Sequence, residues 1–292
     1  MYLRIMLAVI LAATFGLGGC RSAPLDLVQH DGRGLLIATF NVHYLSPRAD
    51  EMSWESRETA VLSVLRDIGA DIVGFQEMET FGGGRFNTEN VQLESIRSAF
   101  PEYGVAAVGD PQVYPSTQPI VYRREVLEPI DQGFFFFSST PDDIYSRPWH
   151  KRFPAFASWV RFRSLADGLA FTVFNIHTDA SSPRNRMKTA RLVTQRIAER
   201  SDPDEPVVLL GDFNALASFP SVGIYRRSGF RIPGCRASTF HLKRGLHLFG
   251  ALDHVLARDG MAVSEMSVVR RQYDGVWPSD HYPVAARVLL EY

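Results

Sequence analysis

Short apolar runs alternate along the chain with longer segments whose apolar residues recur every three or four positions. LLIATFNV (35–42) and DIVGFQEM (71–78) are almost continuously apolar, the pattern of strands buried on both faces. Between them Ala60, Val61, Val64, Leu65 and Ile68 share one face of a helix predicted over 53–68, with Ser53 as cap and Gly69 as stop. A second helix is predicted over 89–99, ending before Pro101. A third covers 184–200, with Ala190, Leu192, Val193 and Ile197 on one side. Further strands are predicted at 104–108, 119–124, 134–138, 155–163, 169–177, 206–213, 251–257 and 281–290. The FFFF run at 134–137 reads as sheet core rather than a binding patch. No repeat, low-complexity run or linker interrupts the pattern, so residues 35–292 read as one α/β domain of packed sheets with many antiparallel hairpins.

The N-terminus stands apart. Residues 1–19 carry one cation, Arg4, and an apolar stretch over 5–17 that is too short to span a bilayer but suits a signal-peptide core. Leu17-Gly18-Gly19-Cys20 resembles a bacterial lipobox, which implies cleavage before Cys20 and lipid modification of its thiol. The plainer alternative is a secretory signal in which Cys20 is incidental. Ser22 follows Cys20 by two, so no Asp at that position argues for retention at the inner membrane. Residues 20–34 are polar and turn-rich, as a tether would be. The expected location is therefore the bacterial cell envelope, with a lipid-anchored, extracytoplasmic domain at the periplasmic face or the outer membrane.

Composition narrows the function classes. With 46% hydrophobic and 22% charged residues over 292 positions, disorder and fibrous repeats are excluded. Lys and Arg number 31 against 32 Asp and Glu, so no basic excess marks a general polyanion binder. Cys20 and Cys235 cannot make a disulfide framework, and Cys235 lies in no thiol-activating motif, so it reads as a packed thiol.

Polar residues interrupt the apolar strands near one end each. Asn41 closes the first strand, Glu77 the second and His177 the NIH strand. Asp212 and Asn214 follow in GDFN, Asp253 lies in LDHVL, and Asp280-His281 open the last strand. A carboxylate there is costly unless paired, hydrogen-bonded or bound to metal. Singly, each has the bland reading of a turn cap. Together they converge on one rim if the strands share a sheet.

At these positions the chain resembles the endonuclease/exonuclease/phosphatase superfamily, which includes DNase I, exonuclease III-type repair endonucleases and neutral sphingomyelinases. The matching segments, in the family's order, are TFNV (39–42), DIVGFQE (71–77), NIH (175–177), GDFNA (211–215), LDHVL (252–256) and SDHYPV (279–284). Weaker echoes are VYR (121–123), KRFPAF (151–156) and STFH (238–241). The resemblance implies a DNase I-like four-layer α/β sandwich of two packed mixed sheets flanked by helices, and metal-dependent hydrolysis of phosphate esters. It implies Asn41, Glu77 and Asp280 as ligands of Mg²⁺ or Mn²⁺, which prefer hard oxygen donors. By the same resemblance Asp253 orients His281, which accepts a proton from the attacking water or binds the phosphate. Asp212 aligns or deprotonates that water, Asn214 donates to a non-bridging oxygen, and His177 meets the phosphate from the other side. Three departures stand out. His43 follows Asn41 by two where relatives carry Asp or Arg. Ser116, near Gln118, stands where some relatives have a Glu that pairs with the NIH histidine, so His177 is expected to lack a carboxylate partner. His254 replaces an aromatic or Arg and reads as structural.

Basic residues cluster at Arg147, His150, Lys151 and Arg152; at Arg184, Arg186 and Lys188; and at Arg226, Arg227 and Arg231. Arg152 and Arg186 are the expected phosphate-side cations, and the third cluster reads as a solvated face. No stripe of cations with interleaved aromatics marks a DNA grip, although a locally basic groove would suffice. The expected activity is that of a monomeric phosphodiesterase, with nucleic acid slightly ahead of phospholipid or small-molecule substrates of sphingomyelinase-like or phosphatase kind. A non-catalytic lipoprotein scaffold is the rival from another class.

Overall fold

The computed structural model describes residues 34–45, 53–78, 90–147, 149, 154–233, 235 and 237–290. In chain order these form β1 (Leu35–Asn41), α1 (Trp54–Ile68), β2 (Ile72–Gln76), α2 (Val91–Ala99), β3 (Tyr103–Ala106), β4 (Ile120–Arg123), β5 (Leu127–Phe136) and β6 (Phe156–Ser164). There follow β7 (Ala170–His177), α3 (Pro183–Arg200), β8 (Val207–Asp212), α4 (Pro220–Arg227), β9 (Asp253–Arg258), β10 (Met261–Val268) and β11 (Val284–Leu290).

One sheet has the order β10-β11-β1-β2-β4-β3 and the other β5-β6-β7-β8-β9. Each has one parallel pair at its centre, β1 with β2 and β7 with β8, and antiparallel neighbours elsewhere. A parallel pair needs a helical crossover, supplied by α1 and α3 respectively. Both helices stop for local reasons. Gly69 takes the left-handed conformation (φ 57°) that ends α1, and Pro183 with the Ser182 side chain opens α3.

Three apolar layers hold the sandwich together. Val61, Val64 and Leu65 of α1, with Leu93 and Ile96 of α2, pack on Ala38, Phe40 and Phe75 at the outer face of the first sheet. Ala190, Val193 and Ile197 of α3 and Val222 of α4 pack on Leu209, Phe174 and Phe135 at the outer face of the second. Ile37, Ile72, Val173, Val208 and Leu210 meet between the sheets. Successive residues of β1 and β8 therefore point into different layers, and both are largely apolar up to their polar ends because both faces are covered. The expected four-layer sandwich of helices, two mixed sheets and helices is present. Phe135, Phe136 and Phe137 are buried, as the reading of the FFFF run requires.

Several expectations shift. Ser53 flanks α1 but makes no side-chain cap bond; its hydroxyl meets that of Ser56 instead. Two elements escape the apolar pattern: α4, which carries Gly223, and β10, an edge strand containing Ser264 and Glu265. β5 starts well before its phenylalanines, and the last strand begins at Val284 rather than at His281.

Candidate active site

The topology brings the polar strand ends to one rim. Asn41 ends β1 opposite Gln76, and Glu77 follows directly. His177 ends β7 opposite Asp212, the last residue of β8, which faces Asp253, the first residue of the antiparallel β9. Asp280 and His281 lie just before β11, which runs antiparallel to β1. Below the rim the sheets are tied by side-chain amides. Gln76 Nε2 donates to Asn175 Oδ1 (2.7 Å), and Asn175 Nδ2 donates to the Phe75 carbonyl (2.8 Å), all without solvent exposure. Such a satisfied polar bridge fixes the offset between two otherwise apolar faces. Gly211 (φ 138°) lets β8 approach β7; a Cβ there would sit 1.9 Å from the Ile176 carbonyl oxygen.

Asn41 stands at the junction of the two sheets. Its Nδ2 donates to Glu77 Oε1 (3.0 Å) and Asp212 Oδ2 (3.2 Å), and its Oδ1 accepts from His43 N (3.0 Å). His281 Nδ1 lies 2.9 Å from Asp253 Oδ2, and its Nε2 lies 3.8 Å from Asp212 Oδ2. His177 Nε2 approaches the same Asp212 oxygen at 3.6 Å and Glu77 Oε1 at 3.7 Å. His43 Nδ1 is 3.7 Å from Glu77 Oε2 and 3.6 Å from Asp280 Oδ1. Asn214 donates its N–H to Asp212 Oδ1 (2.8 Å) and its Nδ2 to the Thr178 carbonyl (3.1 Å). His177 Nε2 thus has two carboxylates at ion-pair distance, though neither within hydrogen-bond length. Ser116 supplies no carboxylate to His177; the two near its ring, Glu77 and Asp212, come from segments distant in sequence.

Burial sets the electrostatics. Burial and the charge of Asp253 push the Asp212 carboxyl up to about 6, although His281, His177 and the Asn214 N–H oppose the shift. Burial alone would lower the His281 imidazole, but Asp253 and Asp212 outweigh it and raise the ring to about 10. Burial would raise Glu77, yet His43, His177 and Asn41 hold it well below the ordinary carboxylate range. Four carboxylates, Glu77, Asp212, Asp253 and Asp280, share the rim. Among the described residues, histidines are the basic groups that come within ion-pair distance of them. Oδ1 of Asp253 is buried with no hydrogen-bond partner. Asp212, Asp253 and His281 offer ligand atoms within 4.8 Å of one another. Four carboxylates gathered on one rim with no Lys or Arg in ion-pair reach among the described residues are hard oxygen donors of the kind a divalent metal ion takes. Asn41 turns Nδ2, not Oδ1, toward the carboxylates, so its amide must rotate before it can offer oxygen.

The rim is held in place by groups that the strand pattern does not reveal. His43 (φ 60°), Glu77 (φ 61°) and Asn214 (φ 45°) adopt left-handed backbone conformations, which cost non-glycine residues about 1–2 kcal/mol each. Arg57, fully buried on α1, braces one side. Its Nη1 donates to the carbonyls of Val42 and Pro278, and its Nη2 to those of His43 (2.6 Å) and Tyr44 (3.4 Å). Gln92 of α2 also reaches the His43 carbonyl, and Ser279 Oγ donates to the Asn41 carbonyl (2.7 Å). Arg57 carries a visible sequence signal: a charge three residues after Trp54, on the buried stripe of α1.

The remaining expected residues are placed differently. Arg186 is buried and donates Nη1 to the carbonyls of Asp179 (2.7 Å) and Ala180 (3.1 Å), bracing the loop after β7. His254 points into the core, with Nε2 at the Ala215 carbonyl (2.8 Å) and its ring against Phe213. Gln118 is likewise structural, donating to the Phe156 carbonyl. Arg152 and Cys20 lie outside the described residues, as do the signal and tether segments before residue 34. Cys235 packs beside Val268, Tyr282 and Val284.

With this geometry in view, comparison with known proteins places the chain. The family model for the Endonuclease/Exonuclease/phosphatase family matches residues 38–281. Among solved structures, an endonuclease/exonuclease/phosphatase from Bacteroides vulgatus is 25% identical, with a TM-score of 0.75, covering 88% of this chain and 99% of its own. The mannosyl-6-phosphatase of Bacteroides thetaiotaomicron is 24% identical, with a TM-score of 0.76 and coverage of 88% and 100%. Danio rerio TDP2, in complex with a single-strand DNA product, shares the fold at 15% identity, a TM-score of 0.62 and coverage of 87% and 98%. No curated protein matches the chain in sequence.

Proposed function

The chain belongs to the endonuclease/exonuclease/phosphatase family of phosphate-ester hydrolases, and from that premise we propose that it is a divalent-metal-dependent phosphodiesterase in which water attacks phosphorus directly. The observation that carries this reading is Asp212, a buried carboxylate raised to about 6, with His281 and His177 at 3.8 and 3.6 Å from one of its oxygens. A proton acceptor works best with a pKa near the working pH, so Asp212 is placed to align the water and take its proton. His281, raised to about 10 beside Asp253, is charged at neutral pH and acts on the phosphate as a donor. His177 faces Asp212 from the neighbouring strand and contacts the phosphate from the opposite side. Asn214 already uses one amide hydrogen on Thr178 and has the other for a non-bridging oxygen. Asn41, Glu77 and Asp280 would hold the ion, which supplies neutralisation of phosphate charge and polarisation of the phosphorus–oxygen bond. Arg152 and Arg186 remain proposed phosphate-side cations, Arg186 at the price of its present bonds to the loop. Cys20 would anchor the enzyme to the envelope through lipid.

Nucleic acid, phospholipid headgroups and small phosphodiesters all present the required group. A phosphomonoester is the second reading, favoured by the likeness to a mannosyl-6-phosphatase. The test incubates the purified full chain with Mg²⁺ or Mn²⁺ and DNA, RNA, sphingomyelin, phosphatidylinositol phosphates, bis-p-nitrophenyl phosphate and mannose 6-phosphate. Each arm has an EDTA control and the His281→Ala variant. Chelator-sensitive cleavage that the variant lacks supports the reading and names the class. Turnover that is indifferent to both EDTA and His281→Ala overturns it.

A further inference from the structure

Most of the large apolar side chains of this fold are buried, but one short loop beside the active site is an exception. Leu242 is 40% exposed, Leu246 38%, Leu248 69% and Phe249 46%. The loop touches the catalytic rim through Phe240, whose ring centre lies 4.9 Å from that of His281 and 6.0 Å from that of Phe249. Its base is firmly built. The His241 carbonyl accepts the N–H groups of Arg244 (3.1 Å) and Leu246 (3.3 Å), and His241 Nδ1 accepts that of Gly245 (3.2 Å). The His241 ring stacks on Tyr282 at 4.0 Å. Gly245 (φ 68°) lies so close to Trp277 that a Cβ would come within 2.8 Å of its ring. The apolar tips are thus presented by an ordered base instead of folding back into the core.

Along the stretch of sequence that carries them the charge has one sign. From Phe213 to Leu252 the sequence contains no Asp or Glu, and it contains Arg226, Arg227, Arg231, Arg236, Lys243 and Arg244. Two of these cations, Lys243 and Arg244, lie within the loop. Exposed aliphatic side chains interleaved with basic ones complement an anionic lipid surface, where the tips enter the headgroup–acyl boundary and the cations meet lipid phosphates. Nucleic acid fits less well, because leucine has no π face on which a base can stack. No helix among the described residues is long and apolar enough to cross a membrane. We propose that residues 242–249 dock on an anionic phospholipid surface and seat the His281 side of the active-site rim against its headgroups.

This inference does not depend on which ester is cleaved, and neither does its test. The apolar segment at 5–17 would bind vesicles by itself, so the measurement must be local. A solvent-sensitive fluorophore is attached at Leu248→Cys in the full chain carrying Cys20→Ser and Cys235→Ser. A second chain carries it at Leu165→Cys, an exposed site on the turn between β6 and β7. Both are mixed with phosphatidylcholine vesicles, with and without phosphatidylglycerol. The expected result is a blue shift, with quenching by spin-labelled lipid, at position 248 and not at 165, dependent on phosphatidylglycerol. Lys243→Ala and Arg244→Ala should each lower the ratio of inserted to free label about fivefold. An unshifted label at 248 in a chain that still turns over bis-p-nitrophenyl phosphate overturns the proposal. So does an equal shift at 165, or a label at 248 that answers to single-stranded oligonucleotide and not to vesicles. If every phosphate ester of the panel is left uncleaved while the 248 label inserts, the docking surface stands and the hydrolase reading falls.

Discussion

His281 and Asp253, 28 positions apart in the chain, meet at 2.9 Å between Nδ1 and Oδ2, and the other face of the same imidazole looks onto Asp212 at 3.8 Å. The ring is held between two carboxylates on neighbouring strands, with one nitrogen committed to orientation and the other to the site. That arrangement keeps a charged donor next to a carboxylate whose proton affinity is raised, a combination neither residue would have alone.

Removing the donor is the direct test. His281→Ala is expected to lower the rate roughly a hundred- to ten-thousandfold with the fold intact. Asp253→Asn should cost much of the same factor, and the double variant little more, because the two act as a unit. Steady-state rates with circular dichroism as the folding control decide it; additive losses would separate the pair.

Glu77→Ala should reduce turnover by orders of magnitude and raise the Mg²⁺ concentration needed for half-maximal activity. It removes a hard oxygen beside Asn41 and His43. A metal titration of activity reads both effects, and a near-normal titration curve would take Glu77 out of the metal site.

In metal-free protein the same charges make stability depend on pH. The His281 pKa rises on folding from 6.5 to about 10, so its contribution is complete below about pH 6.5 and is lost as pH climbs through about 10. Asp212 is a carboxylate raised from 3.8 to about 6, so the unfolded chain gives up that proton first and stability falls as pH rises across that window. Thermal melts in EDTA should show the advantage of wild type over His281→Gln shrinking toward pH 10. Asp212→Asn should melt higher than wild type at neutral pH while losing activity.

Arg57→Met leaves the carbonyls of Val42, His43, Tyr44 and Pro278 without their buried donor. Unfolding in urea should show a loss of about 3 kcal/mol or more. Because those carbonyls flank Asn41 and precede Asp280, metal affinity should fall with stability.

Cys20→Ser tests the anchor. In cells that process lipoproteins, the wild-type chain is expected in the membrane pellet and the variant in the soluble extracytoplasmic fraction. Identical fractionation of the two would leave Cys20 as an incidental residue of a secretory signal.

Much of this was legible in the residues. β1, β2, β7 and β8 show as continuous apolar runs because helices and a second sheet cover both their faces, and α1 and α3 show their buried stripes. Asn41, Glu77, His177, Asp212, Asn214, Asp253, Asp280 and His281 stood out because a polar group at the end of such a run needs a reason. The edge strand β10 and the short α4 left weaker patterns, since Ser264 and Glu265 break the apolar run of one and a glycine interrupts the other.

By itself, then, the sequence determined which central strands are buried, where the three longer helices run and which polar side chains terminate the strands, because these follow from local periodicity. Strand order and sheet packing decided the rest. They set Glu77 and Asp212 beside His177, turned the Asn41 amide nitrogen toward two carboxylates, and carried Arg57 under the rim. They also left Leu248 in solvent next to the active site while similar leucines are buried. Contacts of that kind join residues tens to hundreds of positions apart. No local pattern encodes them, since burial, proton affinity and hydrogen-bond partner are properties of the assembled neighbourhood.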